Sequence, residues 1–110
     1  MNCKPPPQQS VPTIEDIAAK SEQVASFLKG LANPHRLQIL CLLAAGPRSV
    51  GELIEATGIG QTSMSQHLAR LKDEGIVDFE RRHRTLSYRI AHPAVADIMD
   101  ALYNHFCRKE

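Results

Sequence analysis

The chain holds 110 residues, enough for one small domain and too few for a second core of ordinary size. Hydrophobic residues at 43% and charged residues at 23% are the balance of a folding chain, and the small size makes a dimer attractive for stability. Lys and Arg number 13 against 12 Asp and Glu, a formal charge of +1, so net charge alone does not point to nucleic acid and the distribution of charge must decide.

No apolar run approaches the roughly 18 to 20 residues needed to cross a bilayer. The Pro-rich start lacks a basic-then-apolar leader pattern, so a cytoplasmic protein without a membrane partner is expected. Cys3, Cys41 and Cys107 are too few and too scattered for a secreted disulfide scaffold or a CxxC zinc site. A reducing compartment keeps them as thiols at rest, and any disulfide is then conditional.

Residues 1–12, MNCKPPPQQSVP, carry four of the seven prolines and almost nothing apolar, and are expected to form a disordered tail. The folded domain is expected over 13–110. Thr13 with Asp16 resembles a capping box, and Ile14, Ile17, Ala18, Val24, Ala25, Leu28 and Leu31 follow at helical spacing, predicting a helix to about Lys29 closed by Gly30. Asn33 as cap and Pro34 at the first position open a second helix with the stripe Leu37, Leu40, Cys41, Ala44. Ser49 caps a short third helix through Ala56, stopped at Thr57-Gly58. Gln61 opens a fourth, with Met64, Leu68 and Leu71 on one face and Gly75 at its end.

The period then changes. Val77 and Phe79, then Leu86, Tyr88 and Ile90, alternate with polar residues and predict a hairpin; its connection, His83-Arg84-Thr85, has no glycine, so a longer and mobile tip is expected rather than a tight two-residue turn. A last helix from Pro93 carries Val95, Ile98, Met99, Leu102 and Phe106 on one stripe to Cys107. The order α-α-α-α-β-β-α, mainly α with a small β-hairpin wing, is that of a winged helix-turn-helix.

Helical projection turns Thr62, Ser63, Gln66, Ala69 and Arg70 away from the apolar face of the fourth helix, toward what a major groove would meet. Gln66 can pair with adenine and Arg70 with guanine or a phosphate, while Thr62 and Ser63 lie near the phosphate-favouring helix N-terminus. Ser65 joins these as a DNA-binding candidate. Residues 81–92 hold Arg81, Arg82, Arg84 and Arg89, two histidines and no acid, suiting the DNA backbone or minor groove. Each element alone would be read as a solvated polar surface; the two in sequence favour DNA. His67 is expected at the edge of the core rather than on a base. His35 and Arg36 are expected to be solvated, with a phosphate contact by Arg36 as the alternative. Cys41, on an apolar stripe, has a default role as a small buried hydrophobe. Cys107, beside Arg108 and Lys109, is the better nucleophile, because positive charge favours the thiolate. Cys3 has no supporting neighbours. With no Ser-His-Asp set, phosphate loop or paired acids, an enzyme is not expected, nor is a cofactor.

The segments LANPHRLQILCLLAAG and GELIEATGIGQTSMSQHLARLKDEGIVDFERRHRTLSYRI resemble the ArsR/SmtB family of small bacterial winged-helix repressors. The resemblance covers about residue 15 to the C-terminus. It implies a homodimer built on the first and last helices, binding to an inverted-repeat operator in double-stranded DNA, and release when an inducer is sensed. Family members that sense metal use a cysteine pair where this chain has Ser49 and Gly51 in PRSVGEL. For a second family metal site, His92 and His105 stand near two ligand positions but Ala94 and Arg108 occupy the others, so no metal site is expected. The remaining pair, Cys41 and Cys107, is similar to the family's dithiol branch, whose members bridge the two thiols on exposure to persulfides or related oxidants and control sulfide-detoxification genes. A metal-responsive repressor, and an activator that displaces a silencing protein, are the alternatives the family offers.

Overall fold

The computed structural model describes residues 13–107; the expected tail at 1–12, with Cys3, and the flanking Arg108 and Lys109 lie outside them. Helix α1 spans Ile14–Leu31, α2 Pro34–Ala44, α3 Val50–Thr57 and α4 Gln61–Asp73. Strands β1 (Arg48–Ser49), β2 (Val77–Arg82) and β3 (Thr85–Ile90) form one antiparallel sheet in the order β1-β3-β2, and α5 (Pro93–Leu102) runs on into a π-helical turn, Tyr103–Cys107. No helix among the described residues is long and apolar enough to cross a membrane.

The helix starts follow the capping residues. Thr13 Oγ1 accepts from the Asp16 amide at 3.1 Å, and Asn33 Oδ1 accepts from His35 N at 3.0 Å and Arg36 N at 3.1 Å. At α3 the capping box is complete: Ser49 Oγ accepts from Glu52 N at 3.1 Å and Glu52 Oε1 accepts from Ser49 N at 2.8 Å. The helix closes at Gly58 in the left-handed region, φ 75°. Inside, Ile39, Leu40, Leu53, Met64, Leu68 and Leu71 lock α2, α3 and α4 into one core, which β2 and α5 complete with Val77, Val95 and Met99.

Four expectations are corrected. Helix α1 does not close at Gly30: it continues through Leu31 to a cap at Ala32, and Gly30 is buried inside it. The glycine sits against another element rather than at a helix stop: a Cβ there would meet the Glu74 carboxylate and make it shift. On α2 the buried line is Arg36, Ile39, Leu40 and Leu43, leaving Cys41 and Ala44 exposed and Leu37 half-buried. That helix is apolar at almost every position after Gln38, so its periodicity does not select a face. The hairpin tip is a tight turn of two residues, His83 and Arg84, between paired Arg82 and Thr85; His83 takes the positive φ of 59° that a glycine would take. Finally, β1 was not foreseen: its two residues pair with Tyr88 and Ser87, too short a run to alternate visibly.

Candidate nucleic-acid interface and thiol pair

Helix α4 starts after Gly60 and presents Thr62, Ser65, Gln66, Ala69 and Arg70 to solvent, with Ser63 half-buried and Met64, Leu68 and Leu71 beneath. The helix packs through α3 and β2, so its polar face is held outward beside the wing. All of the DNA-binding candidates on α4 therefore share one surface. Arg70 is already engaged: its Nε lies 3.0 Å from Glu74 Oε2.

On the wing, Arg81 and Arg84 are exposed and have no carboxylate partner among the described residues. Arg82 lies 3.6 Å from Glu80, and Arg89 lies 3.7 Å from Asp78. The acid-free stretch thus receives partial compensation from β2, and Arg81 and Arg84 are its uncompensated charges. Asp78 is held below the usual carboxylate range, first by the Phe79 amide bonded to it at 2.8 Å and then by Lys72 and Arg89. Lys72 also stands 5.4 Å from the centre of the half-exposed Phe79 ring, tying the end of α4 to the wing. Sequence patterning missed this tie, since Phe79 counted there only as a core-facing residue.

The expectation of a solvated Arg36 is overturned, and its burial leaves no free guanidinium for the alternative of a phosphate contact. Arg36 is 8% exposed, and its Nη1 donates to the Gly30 carbonyl at 2.9 Å, fastening α2 to the end of α1. Its Nε is buried with no hydrogen-bond partner among the described residues. His67 is at the core edge as expected, half-buried and in edge-to-face contact with His35 at 5.5 Å between ring centres. Burial, then the Arg36 charge and His35, push its pKa down. His35 is thus a ring partner as well as a solvent-facing residue.

Cys41 and Cys107 are both exposed thiols, so the buried-hydrophobe reading of Cys41 is overturned. Cys41 lies on α2, which packs on α5, and Cys107 ends the turn that continues α5; burial raises the Cys41 pKa, and the negative charge of Cys107 raises it further. Beside Cys41 lies an open cavity of about 620 Å³ lined by Ala44, Ile90, His92, Met99, Asp100 and Tyr103, among others. His92 is committed to structure, its Nδ1 accepting from Ala94 N at 3.1 Å and its ring 4.8 Å from that of Phe27. His105 is exposed on the π-helical turn, and the described residues contain no cluster of three or more metal-ligating side chains.

Comparison with known proteins agrees with this architecture. Residues 33–78, from the α2 cap into the first wing strand, match the bacterial regulatory protein, arsR family. The biofilm growth-associated repressor of Xylella fastidiosa is 41% identical over 98 residues, 89% of this chain and 86% of that protein. Its solved structure, the transcriptional repressor BigR, superposes with a TM-score of 0.78 at 40% identity, covering 89% of this chain and all of that one. Reduced HlyU from Vibrio cholerae, named a transcriptional activator, superposes with a TM-score of 0.83 at 33% identity over 86% of this chain and all of that one. A homodimeric winged helix-turn-helix domain from Mycobacterium bovis gives 0.67 at 37% identity, over 94% of this chain and 99% of that one. The chain belongs to the ArsR family of DNA-binding transcriptional regulators.

Proposed function

We propose that this chain is a homodimeric transcriptional repressor that holds an inverted-repeat operator while its thiols are reduced and releases it when Cys41 and Cys107 are bridged, controlling genes that detoxify sulfide and reactive sulfur. The observation that carries this reading is that two exposed cysteines from distant parts of the chain lie on α2 and on the turn after α5, and that α2 and α5 pack together. Dimerisation is supported by the uncovered apolar side chains Ile14, Ile17 and Leu28 on α1 and Tyr103 and Phe106 beyond α5. The homodimeric state named for the Mycobacterium bovis domain agrees with it. The DNA contacts are those of α4, through Thr62, Ser63, Ser65, Gln66 and Arg70, and of the wing, through Arg81, Arg82 and Arg84.

The chemistry follows from the two environments. Cys41, its pKa raised, stays mostly a neutral thiol at physiological pH and suits the second, resolving step. The Cys107 thiolate attacks the outer sulfur of a persulfide RSSH, forming Cys107–S–SH and releasing RS⁻. The Cys41 thiolate then attacks Cys107 Sγ, the inner sulfur of that persulfide, and expels HS⁻, closing a disulfide. If the Cys107 persulfide first takes a further sulfur from a second RSSH, the bridge closes with that sulfur inserted and spans a longer gap than a disulfide allows. Either bridge ties the end of α5 to α2, which packs on the α3–α4 unit, and so changes how the paired reading heads are held.

Intact-mass and gel-shift measurements on the reduced and persulfide-treated protein test this. Treated parent protein is expected to carry an intrachain bridge and to lose at least tenfold in operator affinity, about 1.4 kcal/mol. Cys41→Ser and Cys107→Ser are each expected to stay on the operator, and Cys3→Ser to respond like the parent. A Cys107→Ser protein that still lets go would sink the dithiol switch. The reading also predicts that Arg84→Ala weakens binding to all sequences and flattens its salt dependence. The similarity to HlyU favours a second reading, in which the same switch governs an activator; a transcription assay on purified template separates the two by the sign of the response.

A further inference from the structure

The carboxylate of Glu74 occupies an unusual place. Glu74 is the C-cap of α4, where a negative charge opposes the helix dipole, and it pairs with an Arg four residues earlier, the less favourable order for such a pair. Helix stability therefore does not account for a glutamate here. Its side chain is nonetheless fixed from two sides. One oxygen holds Arg70 Nε at 3.0 Å, and the other lies against Gly30 of α1, filling the space a Cβ would need. Gly30 is in turn anchored through its carbonyl to the buried Arg36 guanidinium. Arg70 itself is largely exposed on the surface expected to meet DNA.

We propose that Glu74 is a specificity-determining residue: lodged in the slot left by Gly30, it aims Arg70 at a base edge and withholds it from indiscriminate contact with phosphates. This rests on the DNA-reading role of Arg70 stated above. A free arginine on this face is a mobile cation that any duplex attracts, whereas one held at Nε has its orientation set and its charge partly compensated. Ion pairing within the protein thus subtracts from the sequence-independent part of binding while leaving the fork available to a matching base. Gly30 is the supporting element, because a Cβ at that position would meet the carboxylate and oblige it to shift.

The test uses the full-length protein, a site enriched from random duplex DNA by the parent protein, and an unrelated duplex of equal length. Glu74→Gln keeps the shape and removes the charge. It is expected to bind the unrelated duplex more tightly, to steepen the salt dependence by about one unit, and to lower the specificity ratio about fivefold or more. Gly30→Ala, which displaces the carboxylate from the opposite helix, is expected to act in the same direction and to add little to Glu74→Gln. In an Arg70→Ala background both effects are expected to vanish. If Glu74→Gln strengthens binding equally with Arg70 present or absent, the glutamate acts only as a nearby negative charge and the proposal is overturned. An unchanged specificity ratio overturns it too, and since Glu74→Gln is isosteric this arm stands even if Gly30→Ala fails to fold. If Arg70→Ala alone leaves the enriched site bound as before, the DNA role of Arg70 fails first and takes the proposal with it, a result distinct from the other two.

Discussion

The stretch from α2 through β3 and the two outer parts of the fold, α1 and the turn past α5, treat their apolar residues in opposite ways. In the first, Ile39, Leu40, Leu53, Met64, Leu68 and Leu71 are buried almost completely within one chain. In the second, α1 buries only Gly30 and Leu31, while Ile14 remains 83% exposed and Phe106, past α5, 81% exposed. Both sets look alike as helical periodicity. The difference is that the reading unit, together with Val95 and Met99 of α5, closes a core among the described residues, whereas most of α1 and the turn past α5 leave apolar surface uncovered there.

The sharpest break in this contrast is a cavity in the self-sufficient half. Leu68→Ala is expected to cost about 2 to 5 kcal/mol, read by urea denaturation, because a side chain 1% exposed leaves a void that its neighbours fill only in part. Truncation in the other half is expected to act on assembly instead. Ile14→Ser combined with Phe106→Ser should leave the far-ultraviolet circular dichroism of the chain intact and shift sedimentation from dimer toward monomer, since covering one such side chain is worth roughly 1.5 to 3 kcal/mol. Unchanged sedimentation would show that the dimer is held elsewhere.

Smaller effects probe the seams. Ser49→Ala removes the hydroxyl from the capping box and is expected to destabilise by about 1 kcal/mol in the same denaturation assay. The least effect concerns pH. His67 binds a proton less readily in the folded chain than in the unfolded one, so its contribution is complete above the ordinary histidine value of about 6.5 and declines as pH falls through that value. His67→Gln is expected to flatten the stability profile between neutral and mildly acid pH, and a profile identical to the parent's would remove His67 from the account.

What was legible in the sequence follows the same division. Capping residues and strong two-faced periodicity placed α3, α4 and the wing strands closely, because Ser49, Gly58 and the Met64, Leu68, Leu71 face each satisfy a local requirement that few other conformations meet. The contacts that depend on distant chain were hidden. Gly30 reads locally as a helix stop, whereas its burial comes from distant residues, Glu74 and Ile76 beside it and Arg36 on its carbonyl. Arg36 reads as a solvated cation near a helix start, or alternatively a phosphate ligand, until the Gly30 carbonyl is found in reach. Cys41 misled in the opposite sense, since an apolar run gives no sign of which side faces out. The tight hairpin turn was discounted for want of glycine, although histidine is among the residues that enter the left-handed region more often than most.

Ser49 belongs to two structures at once, and the arrangement has a mechanical side. Its backbone is the register partner of Ser87 in the inner wing strand, and its hydroxyl closes the first turn of α3. The root of the wing is therefore welded to the front of the helix-turn-helix, and the wing cannot fold back without also opening a helix cap. Beyond that joint the wing continues as β2 paired with β3 alone, out to Arg82 and Thr85 beside the His83-Arg84 tip. Helix α5 packs on β3, so a rotation imposed through α5 would act about this base as its pivot. The displacement grows with distance from the pivot, so the arginines at the far end travel furthest for a given rotation.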